Sequence, residues 1–284
     1  MRCRLLARFA QMDSRFALRE SAIECAFMLA PNHPLLRTAC LLSIALWCWA
    51  PNMQAPAVPS AVPLTAEPRH HLVFENSYVR AFRVSIPGHD ATLLHQHDVP
   101  YVYVALGPAE FVNAVAGKPE VHVVMTDGQI GYSRGGFAHI ARTDAGSAFN
   151  NVTIELLKPQ GEPQNVCAKI VPDAADAPCP DTPADPKDQI LGSPLFRTDE
   201  MNVQLGSHGP DGEVVIVPGW GSLLVIVSGD GIQKMEKDKS AETLSAGSVV
   251  WLPALSNTTF NNVSGKPWTT LTLSFKDASA FRNN

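Results

Sequence analysis

Gly88-His-Asp-Ala-Thr-Leu-Leu-His95-Gln-His97-Asp-Val-Pro-Tyr101-Val-Tyr-Val-Ala-Leu-Gly107 is the stretch on which the reading of the whole chain turns. Its second half, Tyr101 to Leu106, is β-branched, aromatic and apolar, and it stops at Gly107-Pro108, a pair that favours a turn. That pattern predicts a strand followed by a turn. His95-Gln96-His97 sits just before it among further strand-forming residues. Side chains on a strand repeat every second residue, so His95 and His97 share a face. Two imidazoles on one face can chelate one ion, and imidazole suits Fe(II), Zn(II), Cu(II), Ni(II) and, in mixed sites, Mn(II). Taken alone the pair is a weak signal, because histidines that are merely solvent-facing or hydrogen-bonded are common.

Working outward, similar short runs end in turn residues. Arg80 to Ile86 precedes Pro87-Gly88, and Val121 to Thr126 precedes Asp127-Gly128. Many short strands at this spacing imply a sandwich or barrel. The block 69–158 is one such unit and 190–284 a second. Between them, 159–189 holds Pro159, Pro163, Pro172, Pro178, Pro180, Pro183 and Pro186 among aspartates, which excludes a helix or a central strand and predicts a linker.

With these features in place, a family resemblance emerges. Gly88, the His95-x-His97 pair, Tyr101 and Gly107 resemble the first motif of the cupin superfamily, in which a glutamate follows the histidine pair. Gly128-Gln-Ile-Gly-Tyr-Ser-Arg134-Gly-Gly136-Phe-Ala-His139 resembles the second motif, 20 intervening residues further on. The opening Val73-Phe-Glu-Asn76 and the closing Ile154-Glu-Leu-Leu-Lys158-Pro159 are also similar to small single-domain cupins. The resemblance implies an all-β fold, a double-stranded β-helix or jelly roll, with a metal inside it. It implies His95, His97 and His139 as ligands. The family's glutamate does not carry over: Tyr101 occupies or adjoins its place, and a phenol is a poor ligand near neutral pH. Arg134 for proline and Thr143 for asparagine are two further departures. Asp98 lies on the opposite strand face from the histidines; His89 is expected in a turn, and His122 either lines the barrel or faces solvent. Glu75, Glu110 and Glu155 are expected at the surface or in ion pairs.

The second block repeats the pattern without the chemistry. Gly247-Ser-Val-Val-Trp-Leu-Pro253-Ala-Leu255-Ser-Asn-Thr258 resembles the second motif with threonine in place of histidine. The first-motif ligand positions fall on Ile216, Pro218 and Ser222, and His208 is the one histidine of the block. A single imidazole cannot cage a metal. The expectation is therefore two tandem jelly-roll barrels, the second degenerate, with Trp220, Trp251 and Trp268 read chiefly as core.

Ahead of the barrels, Ala39 to Trp49 is an uncharged apolar run behind Arg37, too short for the ~20 residues of a membrane span and suited to a signal-peptide core. Residues 1–55 are read as an N-terminal extension and signal peptide, with Met28 as an alternative start and cleavage after Ala55, and 56–68 as a Pro-rich linker. This predicts export to a periplasmic or extracellular location and no stable membrane span in the mature chain. Of the 6 cysteines, Cys167 and Cys179 then remain, and an oxidising compartment makes a disulfide between them the default.

A net charge of -5, from 22 basic and 27 acidic residues, leaves no surplus to neutralise phosphates and argues against nucleic acid as a partner. No phosphate-binding loop, dinucleotide fingerprint or nucleophile elbow is present. Two readings stay open. In the first, the chain is an exported, metal-dependent dioxygenase, Fe(II) favoured and Mn, Zn, Ni or Cu left open, acting on a small organic molecule with Tyr101 contacting substrate. In the second, it is a non-catalytic cupin that binds a metal or small ligand or serves assembly. The resemblance also implies a homodimer, since cupins pair by strand exchange.

Overall fold

The computed structural model describes residues 60–179, 192–235 and 240–276. The expected signal segment, the cleavage site and part of 56–68 lie outside the described residues, as does part of the Pro-rich joint.

The stretch 56–68, read as a Pro-rich linker, supplies β1 (Val62–Pro63), which pairs with β4; the first block forms β2 (His70–Glu75), β3 (Val79–Ile86), β4 (His95–His97), β5 (Tyr101–Ala105), β6 (Ala109–Val115), β7 (Val121–Met125), β8 (Ile130–Ser133), β9 (Phe137–Arg142) and β10 (Phe149–Leu156). The second follows with β11 (Gln164–Val166), β12 (Ala175–Ala177), β13 (Ser193–Arg197), β14 (Met201–His208), β15 (Gly212–Ile216), β16 (Ser222–Ser228), β17 (Asp230–Met235), β18 (Glu242–Ser245), β19 (Val249–Leu252), β20 (Thr258–Asn262) and β21 (Trp268–Phe275).

The connectivity is that of a jelly roll, twice over. In the first block a sheet containing β3-β10-β5-β8 accompanies one containing β4-β9-β6-β7. In the second, β14-β21-β16-β19 and β15-β20-β17-β18 repeat the order strand for strand. The fold is all-β, two tandem double-stranded β-helix barrels.

Alternation explains why the strands between the barrels read as continuous apolar runs. On β10, Phe149, Asn151 and Thr153 line the first barrel's interior, while Val152, Ile154 and Leu156 point the other way. On β21, Leu271, Leu273 and Phe275 join that same cluster, together with Leu223 and Val225 of β16 and Val102 and Val104 of β5. One sheet of each barrel therefore contributes its outer face to a shared core. An antiparallel sheet normally leaves one face polar, and these do not because both faces are covered. Trp251 belongs to this junction, stacked on Phe74 at 5.9 Å between ring centroids, and Trp268 is buried inside the second barrel.

The joint 159–189 differs from a plain linker. Two short strands, β11 and β12, extend the second barrel's sheet in the order β12-β11-β13. Each is three residues long, which is how a stretch so rich in proline can still pair: the prolines fall outside the strands. Cys167 and Cys179 form a disulfide across this segment, 12 residues apart in sequence.

Candidate metal centre

His95 and His139 arrive opposite each other because β4 and β9 pair antiparallel in the register His95↔His139, Gln96↔Ala138, His97↔Phe137. The turn that delivers β9 depends on glycine. Gly135 has φ +68°, and a Cβ there would lie 2.2 Å from the Val99 carbonyl oxygen. With that close approach allowed, the Gly136 amide donates to the His97 carbonyl at 2.6 Å and ties the two histidine strands together. Thr143, where the family has asparagine, closes the other side: its hydroxyl lies within hydrogen-bonding reach of the Pro87 and Asp90 carbonyls and so holds the loop leading into β4. Arg134, the second departure, is a surface residue paired with Glu162.

Four imidazoles meet inside the barrel. Ring centroids of His95 and His139 are 4.4 Å apart, those of His97 and His139 5.1 Å, and those of His70 and His95 4.8 Å. Ligand nitrogens of His70, His95 and His97 all lie within 4.8 Å of one another, and His139 joins them through its Nε2, 3.1 Å from that of His97. Two nitrogens bound at ~2.1 Å and at right angles on one ion would stand about 3.0 Å apart, close to that separation.

The outer nitrogens are held by the barrel wall. His95 Nδ1 lies 2.9 Å from the Leu93 carbonyl, His139 Nδ1 2.7 Å from Asn113 Oδ1, and His70 Nδ1 2.6 Å from Glu67 Oε2. Histidine ligands characteristically use one nitrogen in this way, which fixes the tautomer and points the other nitrogen at the ion. Burial pushes the histidines down, His95 to about 4, His139 to about 3 and His97 to about 2, with neighbouring imidazoles adding to the shift for all three. They are neutral at pH 7 and keep a lone pair for a metal.

His95 Nε2 and His97 Nδ1 are buried with no hydrogen-bond partner. An unsatisfied buried polar atom costs about 1–3 kcal/mol, and the His95 Nε2, whose ring is already held through Nδ1 by Leu93, is the one that a shared ion would satisfy. The group of His70, His95 and His97, with His139 set against His97, fits a divalent ion of the kind imidazole binds.

Tyr101 lines the same cavity but is not placed as a ligand would be. Its ring stacks on His97, with centroids 4.3 Å apart, and the pairing of β5 with β8 sets the residue opposite Ser133. Burial pushes the phenol up to about 12, so it is protonated at neutral pH. Tyr103 lies alongside, over Gly131, where a Cβ would meet its hydroxyl at 2.2 Å. The cavity, about 140 Å³, is closed on its apolar side by Val84, Ile86, Phe111, Met125 and Phe149, with Asn113, Asn151 and Thr153 among the polar lining. Phe111 and Phe149 stack in parallel at 4.2 Å.

The remaining sequence candidates fall outside. His89 sits in the turn before β4 with φ 59°, and His122 faces solvent, paired with Glu110. Glu155 is buried against Arg80, which also holds Glu75. In the second barrel the corresponding ligand positions are filled differently. Ile216 is fully buried, the Pro218 carbonyl accepts from the Leu255 amide, and Ser222 bonds Ser274 and the Trp220 carbonyl. His208 stacks on Trp268.

His70 is the residue that sequence reasoning missed. It stands at the start of β2, far from the two motifs, and enters the barrel because β2 pairs with β3 in the register His70↔Val84. The one signal available for it is Glu67-x-x-His70, a carboxylate three residues from an imidazole.

No family model and no curated protein matches the chain. Solved structures do. AerE from Microcystis aeruginosa is 8% identical, with 74% of this chain and 98% of that one covered and a TM-score of 0.48. Salicylate 1,2-dioxygenase from Pseudoaminobacter salicylatoxidans, as its adducts with gentisate, is 11% identical over 87% of this chain and 92% of that one, with a TM-score of 0.46. A Cupin 2 conserved barrel domain protein from Leptotrichia buccalis is 7% identical over 77% and 92%, at 0.44. The fold assignment itself rests on the repeated strand order of the chain.

Proposed function

We propose that the first barrel of this tandem cupin holds a divalent metal through His95, His97 and His139, and that the chain is an Fe(II)-dependent dioxygenase acting on a small organic molecule. The observation that carries the reading is the orphaned, buried Nε2 of His95 inside a cavity, beside the close approach of the His97 and His139 Nε2 atoms. When bound, the metal supplies a redox-capable centre whose positive charge neutral ligands leave uncompensated.

The chain's own residues define what can bind beside it. A cavity near 140 Å³ is the size that accepts a single ring, since a void of ~150 Å³ takes up benzene. Phe111 and Phe149 offer an apolar floor, and among the described residues no lysine or arginine lines the space, so the site supplies no side-chain counter-charge for a carboxylate. The lining therefore favours a molecule with an apolar body and one or two polar or anionic atoms directed at the metal and the histidines, the metal being the one counter-charge the site would supply. Tyr101 keeps its proton and can donate to such an atom, and its ring holds His97 in place. Export accompanies this reading, supported by the Cys167–Cys179 disulfide, a bond of the kind that persists in oxidising compartments. Among the described residues no helix is long and apolar enough to cross a membrane.

The test is oxygen consumption by the Fe(II)-loaded full-length protein against a panel of thiols, β-diketones and phenols. Uptake with at least one class, lost in His139→Ala, is the expected result. Stoichiometric metal with no uptake across the panel would overturn the dioxygenase and leave a ligand-binding cupin.

A further inference from the structure

We infer that His70 is a fourth metal ligand, standing in for the glutamate that this chain lacks, and that Glu67 is the positioning residue that aims it. The inference rests on the metal-binding reading above and adds to it a ligand from a strand outside both sequence motifs.

Glu67 is among the most buried charged residues described, with 2% of its surface exposed. Its carboxylate is fixed by backbone: Oε2 accepts from the Arg69 amide at 2.7 Å and Oε1 from the Leu93 amide at 3.1 Å. His70 Nδ1 completes the set at 2.6 Å. A carboxylate accepts only, so the proton on that bond sits on His70 Nδ1, and in the neutral ring it is Nε2 that carries the lone pair. The ring is buried and lies 4.8 Å from that of His95 and 6.3 Å from that of His97, centroid to centroid.

Leu93 links this arrangement to an expected ligand. Its amide holds Glu67 while its carbonyl holds His95 Nδ1, so one residue sets the orientation of both rings. Three of the four imidazoles thus share one plan: Nδ1 is held by an acceptor in the wall, and Nε2 is left for the interior. The position from which the family supplies a carboxylate is occupied or adjoined by Tyr101, a phenol stacked on His97 and a poor ligand near neutral pH, which leaves His70 as the available donor. Pairing with Glu67 alone would fix Nδ1 but would not require a ligand nitrogen of this ring to stand near the other histidines. Its nitrogen instead falls within 4.8 Å of those of His95 and His97.

The experiment uses Co(II) as probe, titrated into the metal-free full-length protein, with affinity and the visible spectrum of the bound ion both recorded. His70→Asn keeps a donor for Glu67 and removes the ligand nitrogen; Glu67→Gln keeps His70 and weakens its orientation. Expected are a loss of Co(II) affinity of ~10- to 100-fold for Glu67→Gln, the range for partners behind a ligand, and a larger loss for His70→Asn with altered Co(II) bands. Wild-type affinity and an unchanged spectrum in His70→Asn would overturn the role of His70 while leaving a three-histidine site. If His70→Asn fails to fold, Glu67→Gln decides: unchanged affinity and bands overturn the inference. Absence of Co(II) binding by the wild-type protein would instead overturn the metal-binding reading itself.

Discussion

The two barrels share a strand order and even a register, yet among the described residues only the first has an interior lined with clustered histidines. His95↔His139 in the first barrel corresponds to Ile216↔Thr258 in the second, the pairing that the motif positions lead one to expect. Around the histidines the first interior keeps small residues, with Ala105, Ala109 and Ala141 among the buried ones. Around Ile216 the second is filled by Leu224, Ile226, Phe260 and Trp268. The position matching His70 falls on Gly192, just before the Ser193↔Leu205 pair, and so carries no side chain at all. A jelly roll therefore does not need a polar interior: the fold survives when an apolar core replaces it. Conversely, four clustered imidazoles, two with an orphaned nitrogen, are a cost that the first barrel bears and the second avoids.

That contrast can be broken from either side. The largest effect is expected from Trp268→Ala, which empties the second core and should cost about 3–5 kcal/mol in denaturant unfolding, while metal content at the first barrel stays at the wild-type level. Placing histidines into the second barrel, as Ile216→His with Thr258→His, should cost about 3 kcal/mol by burying unpaired imidazole in a packed core. It should add no metal, because two histidines without a third donor do not make a cage; a second equivalent of bound metal would show that the register alone carries the site. The smallest effect is Tyr101→Phe. Loss of its buried hydroxyl should cost about 1 kcal/mol, with metal content unchanged, so that any loss of oxygen uptake reports contact with substrate.

Much of this difference was legible in the residues themselves. The alternation of His95 and His97 is a local property of one strand, and His139 and the empty positions Ile216 and Thr258 follow from motif spacing. His70 was not legible as part of the cluster, because Glu67-x-x-His70 signals a local pair and no more: only the pairing of β2 with β3 carries it into the first barrel. The shared core between barrels was half-visible. Runs such as Ser222 to Val227 look like strands covered on both faces, but the sequence does not say by what. Strands β11 and β12 stayed hidden for a different reason, being too short for any periodicity to show between the prolines that flank them.

Whether the imidazole cluster exists to hold a metal is decided by the metal content of the purified full-length protein. It is measured beside His95→Ala/His139→Ala after both are exposed to the same Fe(II) under anaerobic conditions. About one equivalent is expected in the wild type and almost none in the double variant, with both folded by circular dichroism. Metal-free wild type, or equal metal in both proteins, would contradict a metal-holding role.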